Sequence, residues 1–478
     1  MKRFALILLV AACGDNKTTP KPPDGGGSDV DAMPDAPPMH AGVVNAHAIG
    51  HYLTEAGDVT AAFTNLQIID SVNAIVMPTV QTDGTLKFEP VAPGAYLICD
   101  TSFSTRFVCA QATGSDLDLD FYSAGRPNGT LANNTTSIAL TTTSASMAAS
   151  PAEFLDIEVL NANFYGFGVP PATPNTPVVT NINWSGRPLL ESGDVIRVTQ
   201  LTTKNSGAET YVAATKTGSV TGLTMVNGAN VATVDLATAL PQTSTASFTL
   251  KRSEFASLAG SPGPNAGYTG FELDGIAEHP PNQFYPWLFQ YAPNTTATTD
   301  VTLTMSWGVS WPATTAQTFA ATFMYQFDAT APGATSPSRI TVYSSAYRPI
   351  AELTGNVGPK LSRATAVKVN TLDATVAQSG TTETPTISWT APSLGTANRY
   401  TLFVYRVLKQ GTGTVAYVSG QFVVTGTTFK IPPGFVHTGE GFMIGVRAET
   451  VPGYNPQTPF ATAARYELAD TITAVHTP

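Results

Sequence analysis

Beyond residue 40 the chain alternates apolar and polar residues in short runs, and Gly, Asn, Asp and Pro separate these runs. Alternation with a period of two is typical of strands with one buried face, and the separating residues favour tight turns. A helical period does not extend over any long stretch, and at most residues 154–160 and 256–258 are expected to form brief helices. The pattern predicts an all-β protein.

The chain has 478 residues, which is too many for a single domain with one core. Hydrophobic cores stop growing at about 250 to 300 residues, so we expect several β-sandwich domains in tandem. Charged residues make up 12% of the chain, about half of the usual ~25%, and Thr, Ser, Ala and Asn take their place. The net charge of −10 disfavours contact with phosphate backbones, so no nucleic acid partner is expected.

The amino terminus has the pattern of an export signal. Lys2 and Arg3 precede an apolar run over residues 4–12 that ends in small side chains. The run is much shorter than the ~20 residues of a membrane-spanning helix, so we assign residues 1–12 to a signal peptide that is removed.

The residues at the expected cleavage site, Val10-Ala11-Ala12-Cys13, resemble a bacterial lipobox. The resemblance implies that Cys13 becomes the first residue of the mature protein and carries fatty acyl chains such as palmitate. Gly14 after the Cys implies sorting to the outer membrane, so the protein would be exported and lipid-anchored at the outer membrane or cell surface. The alternative is an ordinary signal peptide followed by a chance Cys, which would leave the protein soluble and free.

Residues 13–40 are rich in Pro, Gly, Asp and Thr and contain scarcely a large apolar side chain. Such a segment cannot bury enough surface to offset the entropy of ordering it. We expect a disordered tether that holds the folded part away from the membrane.

Residues 82–98 show the clearest local strand pattern. Asp83-Gly84 supplies a turn, Leu86 and Phe88 share one strand face, and Pro93-Gly94 turns the chain before a second strand, which predicts a meander. With a strand at residues 66–70, this pattern resembles the carboxypeptidase regulatory-like, transthyretin-like sandwich over residues 41–126. Domains of that family mostly serve as non-catalytic modules.

Cys99 and Cys109 lie in the next two predicted strands. A hairpin centred on Ser104 would place them opposite one another, and an exported protein folds in an oxidising compartment. A disulfide is expected, with two separately buried thiols as the alternative. Cys13 is left over, as a lipid-bearing Cys would be.

The carboxyl-terminal stretch, residues 361–478, carries a second resemblance. Trp389 ends an early strand, and Tyr400, Leu402 and Val404 alternate towards one face, as a two-sheet sandwich requires. These segments resemble a fibronectin type III domain. Phe442 stands where that family usually has a Tyr, so the hydrogen bond of a tyrosine corner is not expected.

Residues 127–360 resemble no family that we can name. They form either one large β-rich domain or two sandwiches joined near residue 250, and no fixed repeat is visible.

Sequence motifs for catalysis or metal binding are not found: the chain has no phosphate loop, nucleophile elbow or zinc-binding pair in a helix. His47 and His51 would lie about 13 Å apart on a strand, too far to share an ion, and are expected to be surface histidines. Asp116, Asp118 and Asp120 alternate with apolar residues, which favours a half-buried strand with an acidic outer face. A calcium site there is the alternative.

The most unusual segment places Tyr285, Trp287, Phe289 and Tyr291 at every second position, downstream of the carboxylates of Glu272, Asp274 and Glu278 and of His279. On a strand the four rings would share a face. They would then form part of a sandwich core, or a face for stacking on sugar rings, or, with the carboxylates, a glycosidase site.

We therefore expect a non-enzymatic, lipid-anchored surface protein that acts as a structural, adhesion or interaction module, without catalytic residues, metal or cofactor. Its expected partners are the membrane, through the lipid, and cell-surface proteins or polysaccharide. The fibronectin-like end is expected to lie farthest from the anchor. The alternatives are a carbohydrate-binding protein that uses the ring face at 285–291, and an exported hydrolase with non-local catalytic residues.

Overall fold

Strands dominate the chain, as the alternating pattern predicts, and within the described residues they form four β-sandwiches. The computed structural model describes residues 42–102, 107–144, 147–149, 152–168, 177–258, 267–277, 287–293, 298–311, 316–460 and 466–478. The all-β fold class is confirmed.

The first sandwich packs a sheet of β1, β2, β5, β6 and β9 against a sheet in the order β4-β3-β7-β8. Its strands are β1 (Val44–Thr54), β2 (Gly57–Ala62), β3 (Leu66–Ile69), β4 (Ile75–Val76), β5 (Thr79–Val80), β6 (Leu86–Phe88), β7 (Tyr96–Asp100), β8 (Phe107–Ala112) and β9 (Asp116–Ala124). The parallel pairing of β9 with β1 brings the last strand beside the first.

The expected meander over residues 82–98 does not form. β6 pairs with β1 and β5, whereas β7 pairs with β3 and β8 in the opposite sheet. The Pro-containing segment between Phe88 and Tyr96 connects one sheet to the other. Side chains of both strands, β6 and β7, pack in the core between the two sheets.

The second sandwich packs the sheet β13-β10-β16 against the order β12-β11-β14-β15. Its strands are β10 (Ser137–Thr143), β11 (Glu153–Val159), β12 (Phe164–Gly168), β13 (Val178–Asn183), β14 (Val195–Ser206), β15 (Glu209–Thr221), β16 (Ala229–Asp235) and β17 (Thr238–Ala239), which pairs with β15.

The brief helix expected over residues 154–160 is replaced by β11, and a single 3-10 turn follows it at Leu160–Ala162. The reason is packing, because Leu155, Ile157 and Val159 alternate into the core around Trp184.

The third sandwich packs the sheet β21-β18-β24 against the order β20-β19-β22-β23. Its elements are β18 (Ser244–Leu250), α1 (Arg252–Leu258), β19 (Gly267–Ala277), β20 (Trp287–Tyr291), β21 (Val301–Trp307), β22 (Gln317–Ala329), β23 (Ser338–Pro349) and β24 (Gly355–Val357). A single 3-10 turn at Ile350–Glu352 precedes β24, and α1 includes residues 256–258, where a brief helix was expected.

The second and third sandwiches have the same strand connectivity. In each, the first strand pairs antiparallel with the fourth and parallel with the seventh, as β10 does with β13 and β16 and β18 with β21 and β24. The two units therefore repeat one topology, although no fixed repeat is visible in the sequence.

The fourth sandwich is fibronectin type III-like, with sheets in the orders β26-β25-β27-β30 and β29-β28-β31-β32. Its strands are β25 (Thr365–Val369), β26 (Leu372–Asp373), β27 (Thr386–Thr390), β28 (Arg399–Gln410), β29 (Gly413–Val424), β30 (Thr428–Lys430), β31 (Gly441–Thr450) and β32 (Glu467–Ile472).

The core of the fourth sandwich contains the residues expected there, Trp389, Tyr400, Leu402 and Val404. Phe442 is also buried, and its ring contacts His476 with 5.5 Å between the ring centroids.

The four sandwiches are joined edge to edge, so one sheet of each belongs to a continuous sheet of 17 strands. β15 of the second sandwich pairs with β20 of the third, and β23 of the third pairs with β32 of the fourth. β29 of the fourth pairs in parallel with β8 of the first. Edge strands carry unpaired N–H and C=O groups, and the three seams pair two to four residues of each edge.

The seams also correct the expected order in space. The fibronectin-like sandwich does not lie farthest from the amino-terminal end, because its strand β29 is paired with the first sandwich.

Candidate functional site

The predicted aromatic row lies on β20, where the structure describes three of its four rings. Phe289 and Tyr291 are both 0% exposed and pack in the core of the third sandwich. Trp307 lies in the same core, and its ring centroid is 4.7 Å from that of Phe289. These rings present no face to a ligand. Tyr285 lies outside the described residues.

The side chain of Trp287 does not pack with Phe289 and Tyr291, and it contacts the second sandwich instead. The register of the β19–β20 pair shifts at Gly275 and Ile276, beside Trp287. The Trp287 ring is half-buried, 5.1 Å from the centroid of Phe167 and 6.0 Å from that of Phe154. Because Phe167 is 40% exposed, part of this aromatic cluster is open to solvent.

A buried carboxyl lies next to the aromatic cluster. The main-chain N–H of Trp287 donates to Oδ2 of Asp156 on β11 at 2.9 Å. Burial raises the pKa of Asp156 to about 8. At neutral pH Asp156 is therefore mainly protonated and can donate a hydrogen bond.

Further carboxyls surround Asp156 at the junction of the second and third sandwiches. Burial raises the pKa of Glu158 to about 8, with Arg197 opposing the shift. Burial, and then the negative charge of Glu272, raise the pKa of Asp274 well above its usual range. Oδ1 of Asp274 accepts a hydrogen bond from Nε2 of Gln290 at 3.0 Å. We call Asp156, Glu158, Glu272 and Asp274 the carboxyl cluster.

Asp274 and Glu272 are half-buried, and burial is the largest cause of the raised pKa of Asp274. Perturbed carboxyls in such a place are typical of functional sites, and also of structural polar networks. Within the described part of the chain, no three His, Cys, Asp or Glu side chains converge as a metal site.

A second polar junction connects the first and second sandwiches. The two guanidinium nitrogens Nη1 and Nη2 of Arg197 donate to the two carboxylate oxygens of Glu55, each at 2.5 Å. The main-chain N–H of Glu55 also donates to Oδ1 of Asn161 at 2.7 Å. A cleft of about 450 Å³ lies at this junction.

Asp194, which lines the cleft, is buried, and both oxygens of its carboxylate accept hydrogen bonds. It accepts hydrogen bonds from Arg126, from Asn161 at 2.6 Å and from the N–H of Glu191 at 2.7 Å. Because Asn161 also accepts the main-chain N–H of Glu55, Asp194 holds a side chain that joins the two sandwiches.

The histidines singled out in the sequence lie on the first sandwich. His47 is exposed, while the ring of His51 is within 2.8 Å of Asp58 and 3.4 Å of Asp120 and stacks on Tyr122. Each ring nitrogen of His51 faces a different carboxylate, so the group is a hydrogen-bonding network on a sheet surface.

The acidic strand has the predicted form. On β9 the side chains of Asp116 and Asp118 are exposed and that of Asp120 is half-buried, while Leu117 and Leu119 are in the core.

The predicted disulfide between Cys99 and Cys109 is confirmed, and the two residues are directly paired on β7 and β8. Cys13 lies outside the described residues.

The sequence did not indicate Asp156 and Glu158, because the stretch 154–160 is predicted as a brief helix and in the structure these residues alternate on a strand with Leu155, Ile157 and Val159. Polar residues at every second position of a strand usually face solvent. Here a neighbouring sandwich covers that face. Asp274 was noted in the sequence, but its proximity to Asp156 was not predictable.

The chain matches no protein-family model, and no curated protein is significantly similar to it. Among solved structures it is similar to the FN1–FN3 domains of chicken CNTN1, with 8% identity, 71% of this chain and 99% of that chain covered, and a TM-score of 0.14. We base no argument on a superposition at that level. The fibronectin-like character of the fourth sandwich rests on its own strand order.

The described residues include no helix with the length and apolar character needed to cross a bilayer, and α1 has seven residues.

Proposed function

We propose that this chain is an exported, lipid-anchored surface protein without catalytic activity, in which four joined sandwiches act as a structural or interaction module. The observation that carries the proposal is the set of three edge-to-edge seams, β15–β20, β23–β32 and β29–β8. Each seam replaces a possible hinge with main-chain hydrogen bonds between sheets.

The seams favour a rigid body over a flexible string of domains. Domains linked only by short connectors move relative to one another, whereas a large shared interface prevents such motion. The ion pair between Arg197 and Glu55 ties the first sandwich to the second as well. A rigid body of this kind can present fixed loops to cell-surface proteins or polysaccharide.

The lipobox-like residues before Cys13 and the tether at 13–40 support anchoring at the outer membrane or cell surface. The disulfide between Cys99 and Cys109 supports an oxidising compartment. The resemblance of the first sandwich to carboxypeptidase regulatory-like modules belongs to the same proposal and implies a non-catalytic role.

Metabolic labelling tests the anchor. Cells that express the full chain or its Cys13→Ala variant are fed a palmitate analogue, and the label is measured on the purified protein. We expect label on the wild type and none on Cys13→Ala. Equal incorporation in both would overturn the anchor.

Small-angle X-ray scattering of the soluble Cys13→Ala chain tests the rigid body. A compact body of this size has a radius of gyration of about 22 Å, to which the tether adds a few ångströms. Four separate sandwiches in a row, each with a radius of about 13 Å, would give about 40 Å. A value near the larger figure would contradict the joined assembly.

Carbohydrate binding is a second candidate, and the specific observation for it is the partly open ring cluster of Phe167 and Trp287. Aromatic rings that keep an exposed face can stack on sugars. A glycan array with the full chain tests it, with Trp287→Ala and Phe167→Ala as variants and Tyr417→Ala, an exposed ring on β29, as the control. Sugar binding that survives both variants, or silence across the array, would remove this candidate.

A further inference from the structure

The first sandwich exposes four large aliphatic side chains within nine consecutive residues. Val72 is 69% exposed, Ile75 63%, Met77 61% and Val80 57%. We call these four residues the apolar corner. Single exposed aliphatic residues are common, but a cluster of this kind is typical of a contact surface.

The apolar corner lies where both sheets of the first sandwich end. Among the described residues β4 pairs only with β3 and β5 only with β6. Both strands are two residues long, and Pro78 between them has no N–H. Short edges with Pro do not accept an added strand easily, so a partner would contact the side chains rather than the backbone.

The apolar corner also lies beside the start of the folded chain. The carbonyl of Gly42 accepts the N–H of Val91, and the next residue, Ala92, donates its N–H to Asp70. Asp70 in turn accepts the N–H of Val72.

The strand pairing also places the apolar corner near the start of the folded chain. On β6, Lys87 lies opposite both Asn45 and Thr79. The first strand and the corner strand are therefore two strand spacings apart, which is about 10 Å.

We propose that the apolar corner rests on the lipid bilayer beside the anchor and so fixes the orientation of the assembly at the membrane. The proposal rests on the proposed function, because the lipid on Cys13 supplies the proximity. About 28 residues separate Cys13 from Gly42, and a chain of that length reaches at most about 100 Å when fully extended. An anchor at that distance keeps the corner at high local concentration near the bilayer, where a weak apolar contact is sufficient.

The chemistry of the apolar corner fits neutral lipid. Its four side chains are aliphatic, and the nearby Lys87 is paired with Glu89 at 2.5 Å. The net charge of −10 gives no attraction to an anionic surface. Binding through the corner should therefore depend little on salt.

The test uses the full lipid-bearing chain in phosphatidylcholine vesicles. Met77→Trp places a fluorophore in the corner, and Val231→Trp places one on the exposed outer sheet of the second sandwich as the control. We expect brominated phosphatidylcholine to quench the added fluorescence of Met77→Trp and not that of Val231→Trp. Hydrogen exchange of residues 72–80 in the wild type, on vesicles and in detergent, gives a second measurement without substitution, and we expect at least tenfold slowing on vesicles.

The possible failures are distinguishable. If the wild type does not float with vesicles, the anchor fails, and the corner proposal fails with it. If the protein floats but shows neither quenching nor slowed exchange, the anchor stands and the corner proposal is overturned. If Ile75→Ser with Met77→Ser instead converts a dimer to a monomer in sedimentation, a second copy covers the corner and the lipid proposal is wrong.

Discussion

Cys109 lies directly opposite Phe422, across the parallel seam that joins the first sandwich to the fourth. Its sulfur is bonded to Cys99, so the disulfide links the seam strand β8 to its neighbour β7. The covalent link and the seam therefore stabilise the same strand, β8.

The disulfide should stabilise both the first sandwich and its seam. Closing a loop between residues 10 apart is expected to contribute about 2 to 3 kcal/mol by limiting the unfolded chain. The double variant Cys99→Ala, Cys109→Ala should lose that amount in urea unfolding, and amides of Gln421 and Val423 should exchange faster. Cys13→Ala is the matched control and should unfold like the wild type. Unchanged exchange at the seam would show that β8 does not depend on the disulfide.

The pair Glu55 and Arg197 should couple the first two sandwiches. Two charge-assisted hydrogen bonds in a half-buried place are stronger than a surface pair. A double-mutant cycle with Glu55→Ala and Arg197→Ala should give a coupling free energy of about 1 to 2 kcal/mol in thermal or urea unfolding. Additive effects would mean that the pair does not link the sandwiches.

Asp156 should make the protein less stable as the pH rises from about 4 to 8. Its folded pKa, about 8, is above the unfolded value of 3.8, so in this range the folded state binds the proton and the unfolded state does not. Its stabilising effect is complete below the unfolded pKa and is lost as the pH passes through the folded pKa, at up to about 1.4 kcal/mol per pH unit.

Asp156→Asn should reduce the slope of the pH–stability curve by the part that Asp156 contributes, while Glu158 and Asp274, whose pKa values are also raised, keep the rest. Urea unfolding at pH 5, 6, 7 and 8 would measure the slope. Asp118→Asn, on the exposed face of β9, is the control. A slope in Asp156→Asn as steep as in the wild type would show that Asp156 does not contribute to it.

The buried pair of Arg399 and Glu449 should be costly to break. Nε of Arg399 donates to Glu449 at 2.8 Å, and Thr401 donates to the same oxygen at 2.7 Å. Burial acts to raise the pKa of Glu449, but Arg399 lowers it overall, so the carboxylate stays charged. Glu449→Ala leaves a buried guanidinium unpaired and should lose about 3 to 5 kcal/mol in urea unfolding.

The exposed pair of Lys360 and Glu352 is the control for that measurement. Glu352→Ala should change stability by less than about 1 kcal/mol, because solvent screens a surface pair. Equal losses in the two variants would show that Arg399 is not effectively buried.

Contacts between residues close in sequence were predictable, and contacts between residues distant in sequence were not. The disulfide was predictable because a hairpin of ten residues places Cys99 opposite Cys109. The core position of Trp389 followed from the alternation around it. The aromatic row was misleading, because a register shift beside Trp287 separates it from Phe289 and Tyr291.

The sequence alone determined the all-β class, the inward face of most strands and the pairing of Cys99 with Cys109. The reason is that alternation decides which side chains of a strand are buried. Only the tertiary structure decided that β8 pairs with β29 and that Asp156 lies near Asp274. The physical reason is that any exposed strand edge offers the same N–H and C=O groups. Which edges meet depends on the shape of whole sandwiches, and the pattern of one strand does not encode it.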